Sequence, residues 1–181
     1  MAKPIIGVMG PGEDATGSDI AIAHQLGFHI ARHGWILLTG GRNAGVMDAA
    51  SEGAHAAGGI VLGILPGKDK NEASPHLDIA IITNLGEARN AVNVLTADVI
   101  VGIGMNPGTA SEIAFAIKAD KPVFLLNSPP EGITFFSYLK NASPSYRGHL
   151  QPVESAEECI KEIEKILSSN LILTGGEYSG P

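Results

Sequence analysis

Cysteine and arginine are scarce in this chain, and basic residues are outnumbered. Of 181 residues, one is cysteine, Cys159. A single thiol excludes a disulfide framework and leaves the fold to be held by its core, which 181 residues at 44% hydrophobic can supply. Lysine and arginine total 12 against 19 acids, a formal net charge of −7, so a surface for nucleic acid or an anionic membrane is not expected. No apolar run approaches the roughly twenty residues that a membrane span needs, and the start does not read as a secretory leader. One cytoplasmic domain is expected. Neither a Walker loop nor a G-x-G-x-x-G dinucleotide turn is present, and there is no G-x-S-x-G nucleophile elbow. His29 and His33 have helical i, i+4 spacing, but no acidic motif accompanies them and no metal site is expected.

What the chain has instead is short continuous apolar runs, each ending in a turn. Residues 4–9, 35–39, 60–64, 79–83, 98–102 and 123–126 read as buried parallel strands. Helical stretches separate them: a run over 20–33 opened by Thr16-Gly17-Ser18-Asp19, then 46–57, 87–97 and 109–119. The alternation predicts a single-domain α/β fold of Rossmann-like, doubly wound type, a mainly parallel sheet with helices on both faces. After residue 127 the pattern predicts a helical turn near 135–140, an extended piece at 151–153 and a helix over 156–167. The domain is expected to span 1–167, followed by a flexible Gly/Ser-rich tail over 168–181. The polar stretch 65–78 predicts a mobile loop at the strand ends, either a cover over a ligand or plain surface.

Two glycine-rich strand-to-helix turns stand out. The first is Gly40-Gly41-Arg42-Asn43-Ala44-Gly45; the second runs from Gly102 to Thr109. At such turns the first helical N–H groups lack partners and the helix dipole is positive, so an anionic small molecule is the expected occupant. Only four arginines exist, and two of them, Arg42 and Arg89, lie in or just ahead of these turns. The ligand-binding candidates are Gly40, Gly41, Arg42, Asn43, Gly45, Arg89, Asn106, Gly108, Thr109 and Glu112. Glu112 admits two readings: a site carboxylate, or the closing residue of a Thr109-x-x-Glu112 capping box. Asp48 and Glu52 read as a solvated helix face, and Cys159 as a buried or incidental thiol. The helix over 109–119 is apolar on nearly all sides, which predicts burial inside the domain or against a second copy; a homo-oligomer is expected.

Together these motifs resemble the Lonely Guy-type family, once labelled "possible lysine decarboxylases". The resemblance covers roughly residues 3–127. TGGRNAGVMDAA is similar to that family's G-G-G-x-x-G-L-M-x-x-x-A stretch, GEARN to its arginine-bearing segment, and GTASE to the end of P-G-G-x-G-T-x-x-E. The family implies a Rossmann-like fold and assembly into dimers or larger oligomers, two or four subunits. In its hydrolase members the matching arginine and glutamate cleave the N-glycosidic bond of nucleoside 5′-monophosphates, roles that would fall on Arg89 and Glu112. Where those hydrolases carry P-G-G, this chain has Gly104-Met105-Asn106 before Pro107-Gly108-Thr109. That departure is closer to the branch that includes molybdenum cofactor carrier proteins, which implies a carrier with the cofactor as cargo, no catalytic residue, and a molybdoenzyme as recipient. The decarboxylase label asks for a Schiff-base lysine, and neither glycine turn contains a lysine.

Overall fold

The computed structural model describes residues 2–174. Seven strands form one sheet in the order β4-β3-β2-β1-β5-β6-β7: β1 is Ile5–Met9, β2 Ile36–Thr39, β3 Ile60–Leu65, β4 Ile79–Ile82, β5 Val99–Ile103, β6 Val123–Leu126 and β7 Leu150–Val153. Every pairing is parallel. The expectation of a doubly wound parallel sheet holds, and β7 extends it by one strand beyond the six read from the apolar runs. Gln151 and Pro152 lie on the rim of the sheet, so β7 lacks the continuous apolar signature of the others.

Helices α1 (Gly17–Arg32), α2 (Gly45–Ala56) and α6 (Ala156–Thr174) cover one face; α3 (Asn90–Thr96), α4 (Pro107–Lys118) and α5 (Pro130–Asn141) cover the other. A 3-10 turn, Gly86–Arg89, precedes α3. Two cores result. Ile6, Val8, Leu37 and Val101 point to the first, and Leu38, Ile64, Ile100 and Leu125 to the second, the alternation a two-residue strand period dictates. Each such side chain, fully buried, contributes about 1.5–3 kcal/mol. Cys159 belongs to the first core, where burial, with Glu158 and Glu162 adding to it, pushes its thiol well up.

The α1 capping box is present: Asp19 N–H donates to Thr16 Oγ1 (3.1 Å) and Thr16 N–H to Asp19 Oδ2 (2.9 Å). Asp19 also accepts from Asn127 Nδ2 at 2.8 Å, which fastens the start of α1 to the end of β6. His29 and His33 do not face each other around a metal; they reach across to Glu157 (3.6 Å) and Glu164 (3.4 Å) on α6.

Several boundaries move. The helix expected over 87–97 is the 3-10 turn plus α3, and no side chain caps it, since the residue at its start is Leu85, which has no acceptor to offer. The helix α6 runs to Thr174, through the first part of the tail expected over 168–181; residues 175–181 lie outside the described residues. The stretch expected to be mobile is docked: Asn43 N–H donates to Glu72 O (2.7 Å), Ser74 N–H to Gly41 O (2.9 Å) and Ser74 Oγ to Asp48 Oδ1 (2.6 Å). Asp48 is therefore a tether for that loop, not a solvated residue, while Glu52 is exposed.

Candidate functional site

Strand order reverses at β1: β2 lies on one side of it and β5 on the other. The carboxyl ends of these strands splay their following loops apart, and a crevice opens there. A cavity of about 260 Å³ fills it. Its walls are the β1–α1 turn (Gly10, Gly12, Glu13, Asp14), the β2–α2 turn (Gly40, Arg42) with Met47, the 3-10 turn (Glu87, Arg89, Asn90), and the start of α4 (Asn106, Gly108, Thr109, Glu112).

Arg89 is the innermost cation, 6% exposed. Burial depresses its pKa, Glu112 and Glu87 oppose that, and Arg42 adds to it. Its Nε is buried with no hydrogen-bond partner among the described residues, an unsatisfied donor on a residue that lines the cavity. Gly40 leaves room for this side chain and for Met47: a Cβ there would lie 2.6 Å from Met47 Sδ and 2.7 Å from Arg89 Nη2.

Glu112, also 6% exposed, stands opposite on α4. Its Oε1 accepts from Asn93 Nδ2 at 2.8 Å, and Asn93 itself is wholly buried with Oδ1 unpaired. Burial pushes the Glu112 carboxyl up to about 7; the Asn93 hydrogen bond and Arg89 pull it back, and Glu87 adds to the rise. The capping-box reading of Glu112 is thereby overturned. The N-cap is Asn106, whose Oδ1 accepts from Thr109 N–H (2.9 Å) and Thr109 Oγ1 (3.0 Å), with Pro107 at the first helical position. Thr109 is thus inside the helix, and Glu112 is free to face Asn93 and the cavity. Asn90 Nδ2 donates to Ser111 Oγ (3.0 Å), a second link between α3 and α4.

Of the ten candidates from sequence, seven line the cavity: Gly40, Arg42, Arg89, Asn106, Gly108, Thr109 and Glu112. Gly41, Asn43 and Gly45 belong to the turn but not to the cavity wall. Gly41 O and Asn43 N–H hold the loop over 66–78. Gly45, at φ 50°, lies against the carbonyls of Pro11 and Gly12, and Val46 N–H donates to Pro11 O (3.0 Å). Arg42 reaches the cavity already paired, with Glu72 Oε2 at 3.1 Å and Glu13 Oε1 at 3.6 Å. Met105 turns away toward α5, where it packs on Gly132.

Sequence reasoning missed the third turn, Gly10-Pro11-Gly12, with Glu13 and Asp14. Its signal was available: it follows the central strand, where the crevice of such a sheet opens. Asn93 was also missed, although it lies four residues after Arg89 on the same helical face.

A profile of the SLOG cluster4 family matches residues 3–160. The chain belongs to the SLOG cluster4 family. A relative from Archaeoglobus fulgidus, described as an uncharacterized protein, is 41% identical over 133 residues, 72% of this chain and 86% of its own. Among solved structures, the molybdenum cofactor binding protein of the phototrophic bacterium Rippkaea orientalis is 50% identical with a TM-score of 0.87, over 92% of this chain and 99% of that one. The molybdenum cofactor carrier protein of Chlamydomonas reinhardtii is 45% identical with a TM-score of 0.84, over the same 92% and 99%. The chain thus shares its fold with a molybdenum cofactor binding protein and a molybdenum cofactor carrier protein. Among its described residues no helix is long and apolar enough to cross a membrane, and no group of three or more His, Cys, Asp or Glu is placed to hold a metal ion.

Proposed function

We propose that this protein binds the molybdenum cofactor as cargo and holds it for delivery. The observation that carries the reading is Arg89, a buried cation with an unpaired Nε that lines one cavity with Gly40 and the start of α4, in a chain that is 50% and 45% identical to a cofactor-binding and a cofactor-carrier protein. The residues suit such a ligand. Its terminal phosphate and the oxygens on its metal need fixed donors. Arg89 supplies a desolvated cation, and the first turn of α4 at Gly108 adds the positive end of a helix dipole. Asn106 takes up the Thr109 N–H with its amide oxygen and so fixes the start of α4 at the cavity wall. At about 260 Å³ the cavity is near the small end of ligand sites, so part of a pterin of this size stays outside the described walls.

After incubation with the cofactor under anaerobic conditions, protein separated by gel filtration retains it and yields it to an apo-molybdoenzyme. Arg89→Met lowers the affinity by about 10–100-fold, the worth of a charged hydrogen bond, without loss of fold. Undiminished binding in that variant would sink the assignment of Arg89.

A second reading has one observation in its favour. A carboxyl raised to about 7 beside a buried arginine is what a hydrolase of nucleoside 5′-monophosphates needs for proton transfer at the glycosidic bond. Chromatography of AMP incubations decides it: multiple turnovers of free base, lost in Glu112→Ala, would replace the carrier reading. We further propose a cytoplasmic homo-oligomer, dimer or tetramer. Leu85 ahead of the 3-10 turn and Leu95 on α3 are 51% and 59% exposed, and Phe115 on α4 is only partly buried. A monomer in sedimentation at micromolar concentration would refute the oligomer.

A further inference from the structure

The cavity is built for an anion, yet its walls hold more negative than positive charge. Glu13, Asp14, Glu87 and Glu112 face it, against Arg42 and Arg89. Arg42 is already shared between Glu72 and Glu13, so Arg89 alone is uncommitted. Three of the four acids are open to solvent and their charges are screened. Glu112 is not: at 6% exposure it stands among desolvated groups, and an oxyanion held by Arg89 meets its carboxylate at close range with little water between.

The geometry offers one way out. Glu112 Oε1 is fixed by Asn93 Nδ2, which leaves Oε2 as the oxygen without a protein partner on a residue that lines the cavity. A proton taken from solvent onto Oε2 turns Glu112 from a repelling acceptor into a donor, Oε2–H to the ligand oxyanion, while the Asn93 hydrogen bond to Oε1 stays in place. We infer that Glu112 holds the anionic ligand as a neutral acid, so that binding takes up one proton and loosens as the pH rises above neutrality. This rests on the carrier reading only in so far as the ligand bears an oxyanion.

The other groups around Glu112 fit the direction. Asn93 on α3 is neutral and Arg89 on the 3-10 turn is a cation; Glu87 on the same turn adds negative field, Glu13 and Asp14 on the β1–α1 turn are exposed and screened, and Arg42 on the β2–α2 turn is paired. Without ligand, burial already places Glu112 near the point of half-protonation at neutral pH, and a bound oxyanion moves it further up. Uptake is therefore largest just above neutrality, where free protein is mostly ionised at Glu112 and liganded protein is not. In that range affinity falls by about tenfold per pH unit.

Anaerobic titration calorimetry with molybdenum cofactor, slightly above neutral pH, in two buffers of contrasting protonation enthalpy tests this on the wild-type protein. The expected result is a binding heat that differs between buffers by close to one proton's worth, with a dissociation constant that climbs with pH. Glu112→Gln, which keeps an Oε1 for Asn93, is expected to bind with no buffer dependence and a flat pH profile. The phosphate of the ligand titrates in the same range, so uptake that persists in Glu112→Gln would assign the proton to the ligand and overturn the inference. Binding without buffer dependence in the wild type would overturn it as well and leave the carrier reading standing. No heat in either buffer would overturn both.

Discussion

The two glycine-rich turns look alike in sequence and are spent on different things. In the β2–α2 turn the glycines let backbone meet backbone: Gly45 against Pro11 and Gly12, Gly41 O and Asn43 N–H against the loop over 66–78. Only Gly40, under Arg89, serves the cavity. In the β5–α4 turn Gly104, at φ 61°, also lies against protein, the Asp19 carboxylate, but beyond the Asn106 cap Gly108 faces open space, with nothing nearer to a Cβ than Asn106 Oδ1 at 3.4 Å. Glycine thus marks the close approach of protein at Gly45 and Gly104, and an open stretch of cavity wall at Gly108.

The contrast is broken most severely at Gly45. Gly45→Ala puts a methyl onto two carbonyls at a positive φ, and the expected loss is on the order of 4 kcal/mol in chemical denaturation. Gly108→Ala leaves stability unchanged or slightly raised and weakens ligand binding instead. Equal destabilisation of both variants would erase the distinction between the turns.

Glu112→Gln comes next. A carboxyl raised from a solvated glutamate's 4.5 to about 7 on folding means that the native state holds more protons than the unfolded chain between those values, so stability falls as the pH rises through that window. The cost is absent below about 4.5, fully present above about 7, and on the order of 3 kcal/mol. The glutamine variant is therefore expected to match the wild type in acid and exceed it above neutrality by that order. Denaturation curves at the two ends of the window check it.

Asn106→Ala removes the one side chain that caps α4, and about 1 kcal/mol is expected to go with it. The smallest effect belongs to Arg42→Ala. Its partners Glu13 and Glu72 are 79% and 69% exposed, so less than about 1 kcal/mol of stability is at stake, and it fades with added salt.

Much of this was legible in the sequence, for reasons that differ by element. Central strands buried on both faces, such as β1 and β5, read as unbroken apolar runs, and their alternation with helices dictated the parallel sheet. The edge strand β7 was readable only as a fragment, because Pro152 and Gln151 interrupt that signal. Arg89 and Glu112 were found through motif spacing, but their partner Asn93 carries no motif. The N-cap of α4 was misplaced because Thr109-x-x-Glu112 and Asn106-Pro107 both spell a helix start; the second is stronger, since proline suits the first helical position and cannot sit later in the turn without losing a hydrogen bond. The anion-clamp reading of Arg42 did not foresee Glu72, which comes from thirty residues away.

The position of β1 at the centre of the sheet has a consequence for how the chain assembles. One flank of β1 pairs with β2, close in sequence, but the other waits for β5: Ile5 N–H bonds the Asp98 carboxylate 93 residues on, and Ile6 pairs with Val99. As the chain leaves the ribosome, β1, β2 and β3 are all available before β5 exists, and during that interval β1 offers an unpaired, wholly apolar edge. Closing so long a loop is slow, and a flat hydrophobic edge left open is an invitation to pair with another molecule. The molecule is thus most vulnerable to aggregation during synthesis, before the strand that completes its ligand crevice has been made.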